Sequence, residues 1–492
     1  MPLDPKLNRF PSQVRTVYLM GIGGVAMGAL AGALAARGLA VRGSDNPLYP
    51  PMSTFLAERG IAVAQGYRAA NLQPPTDLVI VGNVIRADNP EVAELARLGL
   101  PYLSLPQALA RFFLDGKKPI VVAGTHGKTT TTALIATSLR AAGRDAGFML
   151  GGIIKQGGGN LSPGAGEHFV VEGDEYDTAF FAKVPKFVYY QPAIAVLTSL
   201  EFDHADIYPD LAAVRRAFGM LMEVLPAGGR LIAWGDDPEV VAMAGRAPCP
   251  VVTYGRGRDC HWRLLAAEPA GDGGARLAVR PPAGRVLEFT TPLVGGHNAL
   301  NTTAALAALA AAGLAPERAA GLQASFPGVR RRQEVRGVAG GVVVVDDFAH
   351  HPTAVRETVA AVARFGLPGW PAGSGRLVAC FEPRSNTSRR NYFQDDYPAS
   401  FDGADLVLLR EPTLVEDIPG PQRFSAARLA RDLADRGRPA MAFARTGDLL
   451  DHLLGYLRAG DLCLVMSNGG FDDLHQRLLT ALAAAGQKKG GA

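Results

Sequence analysis

Short apolar runs alternate along this chain with helix-length stretches, and the joins between them collect glycine, acids and histidine. The opening, VYLMGIGGVAMGALAGALAARGLAVRGSD, reads as strand, glycine loop, helix, and a second strand ending at Ser44-Asp45. Small residues at Gly28, Ala29 and Ala31 would let that helix pack closely on its sheet. TDLVIVGNVIRADNPEV predicts a strand from Leu78 to Val81, a turn, and a helix capped by Asn89 with Pro90 in its first position. IVVAGTHGKTTTT, residues 120–132, is again strand, tight loop and helix. GFMLGGIIKQGGGN is expected to be a glycine-rich loop beside it. Two further apolar strands run into acids, in HFVVEGDEYD and AIAVLTSLEFDHADIY, and residues 250–290 alternate like a β-rich insertion. After Phe326-Pro327-Gly328 come VVVVDDFAHHPTAV, RLVACFEPRSNTSR, ADLVLLREP and DLCLVMSNGGFDDL, which are strand–helix units once more.

This pattern predicts an α/β chain of three domains. Residues 1–116 form a Rossmann-like N-terminal domain, 117–328 a central P-loop-type ATP-binding α/β domain, and 329–492 a C-terminal Rossmann-like domain. The first boundary is set at the lysine pair Lys117-Lys118 and the second at the Pro327-Gly328 hinge.

Composition narrows the class. With 492 residues, 48% of them hydrophobic and 20% charged, the chain is globular and too long for one core. Its net charge of +4, from 50 basic and 46 acidic residues, argues for neither nucleic acid nor an anionic membrane as partner. The four cysteines (Cys249, Cys260, Cys380, Cys463) lack metal-ligand spacing and fit reduced thiols in a cytoplasmic protein. From Thr16 to Ala36 only Arg-free, acid-free residues occur, long enough to span a bilayer, but Gly21, Gly23 and Gly24 break the run where a strand would give way to a helix.

The chemistry collects at the joins. In Gly124-Thr125-His126-Gly127-Lys128-Thr129-Thr130, loop amides and the positive end of the next helix can face an anion. Lys128 adds a charge for the β/γ-phosphates and Thr129 an oxygen for Mg²⁺, so ATP is the expected ligand. The spacing departs from the usual phosphate loop, because only three positions separate Gly124 from Gly127. Glu172, Asp174, Glu175 and Asp177 cluster past one strand, and Glu201, Asp203, His204 and Asp206 past another, as a Mg²⁺ site requires. Asn298 and Asn301 open a helix and can read an adenine edge or simply cap. Arg330 to Arg332 follow the hinge, from which an arginine could close on a triphosphate. In the first segment Gly21, Gly23 and Gly24 can cradle a diphosphate with Asp45 near a ribose; NAD(P) is the rival ligand there.

GTHGKTTT, EGDEYD, EFDHADIY, GGHNALN, RRRQE and DDFAHHPTA, in that order, resemble the motifs of the Mur ligase family of ATP-dependent amide-forming enzymes over essentially the full length. GIGGVAMGALA looks like the UDP-binding domain of the branch that takes UDP-N-acetylmuramate itself. Of its two kinds, one adds L-alanine and the other the recovered murein tripeptide L-Ala-γ-D-Glu-meso-diaminopimelate. DEYDTAFF followed by KFVYY, EFDHADIY, EPRSNT and LVMSNGGF resemble the peptide-adding kind, where the other typically has DESD-like residues. The first glycine loop is closer to the L-alanine kind, and Gly173 departs from the commoner EADEYD.

The resemblance implies that the sugar's lactyl carboxylate is phosphorylated by ATP and the acyl phosphate is captured by the tripeptide amine. It implies Lys128 and the loop amides on the β/γ-phosphates, Thr129 and Glu172 on Mg²⁺, and His204 at the metal–acyl-phosphate region. Asn298 would bind adenine, Arg332 the phosphates, Asp346 the ribose, and Gly21, Gly23, Gly24 and Asp45 the UDP moiety. Arg384 and Asn386 are expected at the peptide end, where a guanidinium fork suits a carboxylate. Relatives that add later residues use a carbamylated lysine after the DH motif; from His204 through Arg230 this chain has none. Replacing Lys128 by alanine is expected to abolish activity and spare the fold. An NAD(P) oxidoreductase would leave the ATP loop idle, and a UDP-sugar sensor would leave Arg332, Asp346 and Arg384 without purpose.

Overall fold

A computed structural model describes residues 2–49, 52–72, 75–271 and 273–490, with side chains to residue 485. The chain forms two compact units: Met1–Leu200 with Ala212–Val252 and Ala311–Gly313, and Glu201–Leu211 with Thr253–Ala310 and Leu314–Ala492.

The first unit holds one parallel sheet and the strands of a second, mixed one. One is built from β1 (Thr16–Met20), β2 (Ala40–Asp45), β3 (Ala62–Gln65), β4 (Leu78–Val81) and β5 (Tyr102–Ser104), in the order β3-β2-β1-β4-β5 with every pair parallel. The uncharged run is therefore β1, a glycine turn and helix α1 (Val25–Ala36), as expected. The glycine spacing of α1 serves a neighbouring helix rather than the sheet alone. A Cβ on Gly28 would lie 2.2 Å from Cε of Met52, and one on Gly32 3.0 Å from the Phe55 ring, both on α2 (Met52–Glu58). Asn89 caps α3 (Pro90–Leu98) by accepting from the Glu91 amide at 2.9 Å.

The second sheet of this unit contains β6 (Lys118–Ala123), β7 (Gly147–Ile154), β8 (Gly159–Ser162), β9 (His168–Gly173), β12 (Ile194–Leu197) and β13 (Arg230–Trp234), ordered β13-β12-β6-β9-β7-β8. A small separate hairpin pairs β10 (Asp177–Ala179) with β11 (Ala182–Pro185). The middles of β6, β9 and β12 (residues 120–123, 169–171 and 194–197) are buried apolar runs, the mark of a parallel sheet covered on both faces. The expected glycine-rich loop in GFMLGGIIKQGGGN is corrected here: it is the antiparallel hairpin β7–β8. Two of its glycines are contact positions, since a Cβ on Gly147 would sit 2.4 Å from the Phe169 ring and one on Gly151 3.0 Å from Oε2 of Glu172, whereas Gly157 and Gly159 have open space at φ 82° and 68° and serve the turn.

In the second unit, Tyr254 and Gly255 at the end of β14 (Val251–Gly255) pair with β15 (Trp262–Pro269), and β15, β16 (Ala275–Arg280) and β17 (Leu287–Thr291) form an antiparallel meander, the expected β-rich insertion. Beyond helix α5 (Gly296–Ala311) lies a six-stranded sheet of β18 (Glu334–Ala339), β19 (Val342–Asp347), β20 (Leu377–Phe381), β21 (Leu406–Arg410), β22 (Ala440–Phe443) and β23 (Leu462–Met466). Its order is β18-β19-β23-β20-β21-β22, with only β18 antiparallel, and helix α6 (Pro352–Phe365) follows β19. Cys380 of β20 and Cys463 of β23 lie in its core with their sulfurs 3.8 Å apart, and among the described residues no cysteine forms a disulfide. Among the described residues no helix is long and apolar enough to cross a membrane.

Candidate active site

The phosphate-loop candidate follows from β6. Its apolar residues are buried, so the chain leaves the sheet at Gly124 against the end of β12. Gly124 has φ 129°, and a Cβ there would lie 2.2 Å from Oγ1 of Thr198 and 2.8 Å from the amide of Ser199, so no other residue fits. Thr198 ties the loop down by donating to Ala123 O and His126 O, at 3.1 and 2.5 Å. The amides of Thr125 and His126 were expected to face an anion. They donate instead to Ser199, at 3.2 Å to its carbonyl and 2.8 Å to its hydroxyl. The amides left to meet an anion are those that open helix α4 (Lys128–Ala141), whose cap residue is Gly127 at φ 80° and whose first turn carries Lys128, Thr129 and Thr130.

Lys128 folds back over this turn. Its Nζ donates to Gly124 O at 2.6 Å, to Thr125 O at 3.3 Å and to Glu175 at 2.9 and 3.2 Å. Burial alone would lower its pKa; the Glu175 carboxylate and then Asp174 outweigh that and hold it above the usual lysine range. Glu172 ends β9, the strand beside β6, and stands in register with Val122. Thr129 and Glu172 are both buried hard-oxygen donors on adjoining segments, a donor set that suits Mg²⁺. The departure at Gly173 has a packing cause: a Cβ there would lie 2.6 Å from Val121 and 3.1 Å from Phe187.

Next to Glu172 stands a trio of which the sequence reading named only Asp174, as one of the clustered acids. Asp174 Oδ2 accepts from Lys186 Nζ at 2.8 Å and from the Tyr176 hydroxyl at 2.9 Å, and Lys186 also reaches the Tyr176 oxygen at 3.1 Å. Burial, then the charge of Asp174, push the Tyr176 hydroxyl up to about 12. The signal was present in the chain as a lone lysine in the apolar run KFVYY.

The first glycine loop is held by the residue expected to bind a ribose. Asp45 Oδ2 accepts from the Gly23 amide at 2.7 Å, while Oδ1 accepts from the Asn46 amide and the Tyr67 hydroxyl at 2.8 and 2.9 Å. The amides of Gly21 and Ile22 donate to Ser44 O. Gly24 has open space where its Cβ would be, the nearest atom being 3.9 Å away. Below the loop, Glu91 is fully buried yet satisfied by Tyr18, Ser44 and Asn71, at 3.0, 2.6 and 2.7 Å. Sequence reading missed it because a single Glu in a helix start looks like a cap.

The remaining expected residues belong to the second unit. Asn298 on the first turn of α5 donates to Val294 O at 2.9 Å and to Gln333 Oε1 at 3.1 Å, and accepts from Asn301 at 3.2 Å. Gln333, with φ 47°, is in turn held by its amide bond to Asp347 Oδ2 at 2.7 Å. Arg332 lies over the Phe348 ring at 4.7 Å. Asn298, the arginine turn and the end of β19 are thereby joined. Asp346 sits 3.5 Å from Arg331 and 3.7 Å from Arg336, whereas Asp347 is the structural clasp of the turn.

His204 has φ 55° and donates its amide to Asp203 Oδ1 at 2.7 Å. Burial would raise the pKa of Asp203, but His204, His350 and His351 hold it well below the usual carboxylate range. His351 accepts the Thr353 amide at Nδ1, so its proton is on Nε2, which donates to Phe202 O at 3.2 Å. Asn386 donates to Asp206 at 2.8 Å, and Arg384 donates to the Thr413 hydroxyl while lying across Gly469, whose Cβ would sit 2.6 Å from Arg384 Cγ. These residues gather at the carboxyl ends of β20, β21 and β23, where ligands bind open α/β sheets.

Known proteins resemble this chain along most of its length. Residues 16–116 match the model of the Mur ligase family catalytic domain, 122–309 the Mur ligase middle domain, and 330–469 the Mur ligase glutamate ligase domain. The chain is 40% identical over 467 residues to the UDP-N-acetylmuramate–L-alanyl-γ-D-glutamyl-meso-2,6-diaminoheptandioate ligase of Escherichia coli K12, covering 95% of this chain and 98% of that one. It is 39% identical to a UDP-N-acetylmuramate–L-alanine ligase of Arthrobacter, over 88% of this chain and 90% of that one. A crystal structure of a murein peptide ligase from Psychrobacter arcticus superposes with a TM-score of 0.70 at 32% identity, covering 95% and 99% of the two chains.

Proposed function

Because the chain belongs to the Mur ligase family of ATP-dependent amide-forming enzymes, we propose that it joins UDP-N-acetylmuramate to L-Ala-γ-D-Glu-meso-diaminopimelate, in the cytoplasm, returning recovered murein peptide to peptidoglycan synthesis. The observation that carries the chemistry is the neighbouring ends of β6 and β9, with Lys128 capping one and Glu172 ending the other. The choice of peptide over L-alanine rests on DEYDTAFF and KFVYY and on the nearly full-length match to the E. coli tripeptide ligase.

In this reading the lactyl carboxylate attacks the γ-phosphorus of ATP, ADP leaves, and an acyl phosphate remains. The peptide's α-amine then attacks the acyl carbon, and phosphate departs as the amide forms. Helix α4 and Lys128 hold the β/γ-phosphates, with Lys128 exchanging loop carbonyls and Glu175 for phosphate oxygens. Thr129 and Glu172 would hold Mg²⁺, which when bound would offset the repulsion between two anionic partners. His204 acts at the metal–acyl-phosphate region. Asn298 reads adenine, Arg332 meets the phosphates and Asp346 the ribose. Gly21, Gly23 and Gly24 receive the UDP moiety, with Asp45 fixing their loop, and Arg384 and Asn386 receive the peptide.

Phosphate release with UDP-N-acetylmuramate, ATP and either amine tests the proposal. Faster turnover with tripeptide is expected. Faster turnover with L-alanine would make the chain an L-alanine ligase, a reading kept in play by the 39% identity to the Arthrobacter enzyme.

A further inference from the structure

Between the start of α1 and the end of β9 lies a cavity of about 210 Å³ whose polar lining is Glu172, Asp174, Tyr176, Lys186 and Tyr190, with Val25 and Ala26 also on its wall. It is smaller than the pockets that enclose whole drug-sized ligands and suits a short acid arm. It begins one residue past Gly24, where the diphosphate cradle has open space, and ends at the carboxylate beside the phosphate loop. A ligand whose diphosphate rests on the first glycine loop and whose acid reacts beside Glu172 must thread this space.

Among the described residues Lys186 is the only cation lining it. Its ammonium carries three N–H donors. Asp174 takes one at 2.8 Å and the Tyr176 oxygen another at 3.1 Å, and the charge lies 4.2 Å from the centre of the Tyr176 ring. Asp174 is itself held by the Tyr176 hydroxyl, so the head group is fixed from two sides with one donor to spare. The Lys186–Asp174 pair therefore stands on the wall of a cavity that a second carboxylate, Glu172, also lines.

We propose that Lys186 binds the carboxylate of the sugar acid inside this cavity, with Asp174 and Tyr176 as its positioning residues. The inference rests on the function proposed above. It assigns to Lys186 the recognition of the acid arm, separate from that of the nucleotide.

The test compares binding of UDP-N-acetylmuramate with UDP-N-acetylglucosamine, the same nucleotide sugar without the lactyl acid, by calorimetry on wild type, Lys186→Met and Lys186→Arg. Wild type is expected to prefer the acid-bearing ligand. Lys186→Met should lose about tenfold to a hundredfold of that preference while its affinity for UDP-N-acetylglucosamine and for ATP stays the same. Lys186→Arg should keep part of it. A preference unchanged in Lys186→Met overturns the assignment. Should Lys186→Met fail to fold, Tyr176→Phe, which keeps the ring and removes the hydroxyl, should lower the preference, and an unchanged value there overturns it equally. If wild type binds neither sugar nucleotide, the proposed function fails instead.

Discussion

Nζ of Lys128 lies 2.9 Å from Oε2 of Glu175, with their side chains only 12% and 2% exposed. The lysine expected to meet phosphate is therefore neutralised within the protein. Lys128→Ala should abolish turnover, but it also strands a buried carboxylate, at a cost of about 3–5 kcal/mol. The expectation of an intact fold is thereby revised. Adding Glu175→Gln to Lys128→Ala should recover most of the lost stability and none of the activity. Denaturant melts and phosphate release on the two variants check this; equal stability of single and double variants would refute the pairing.

Gly124→Ala forces a Cβ to within 2.2 Å of Oγ1 of Thr198 at a φ of 129°. The loop must move off β12, so nucleotide affinity should fall at least tenfold while UDP-sugar affinity stays unchanged. Titration with a fluorescent ATP analogue measures it.

Asp203 links stability to pH. Its folded pKa is depressed, chiefly by its three histidine neighbours acting against burial. Its contribution is therefore present above the unfolded value of about 3.9 and is lost as pH falls through the folded one. Asp203→Asn should be less stable than wild type near neutrality, with the gap closing as acid is added. Melting curves across that range give the answer, and a gap that widens in acid reverses the sign assigned here.

Arg384 tests the peptide end. Arg384→Met should raise KM for the tripeptide about tenfold or more and leave KM for ATP alone. Gly469→Ala, which pushes against Cγ of Arg384, should do the same more weakly. Steady-state kinetics with each substrate varied in turn separate these outcomes.

Much of this was legible in the chain because local signals and tertiary needs agree. Asn89-Pro90 starts a helix by its own chemistry, and the apolar run ending at Asp346-Asp347 becomes a strand in any parallel sheet. The hairpin over GFMLGGIIKQGGGN was not legible. Gly147 and Gly151 serve contacts with Phe169 and Glu172, distant in sequence, and glycine by itself reads as loop. Likewise, residue type marks Asp45 as a ligand for ribose, but only the fold shows it holding the Gly23 amide. Ser199 gave no signal at all: it works by accepting the His126 amide, a long-range pairing invisible to spacing.

Cys380 and Cys463 stand diagonally across neighbouring strands, since Cys380 is in register with Val465 and Cys463 with Val378. That two-residue offset keeps the thiols outside bonding distance, and their mutual hydrogen bond with burial holds the Cys380 thiol protonated. While the sheet is intact it acts as its own antioxidant. Once the chain is denatured in air the safeguard vanishes, and a crosslink formed then would lock the strands out of register. Refolding yield should therefore depend on a reducing buffer, although the folded enzyme needs none.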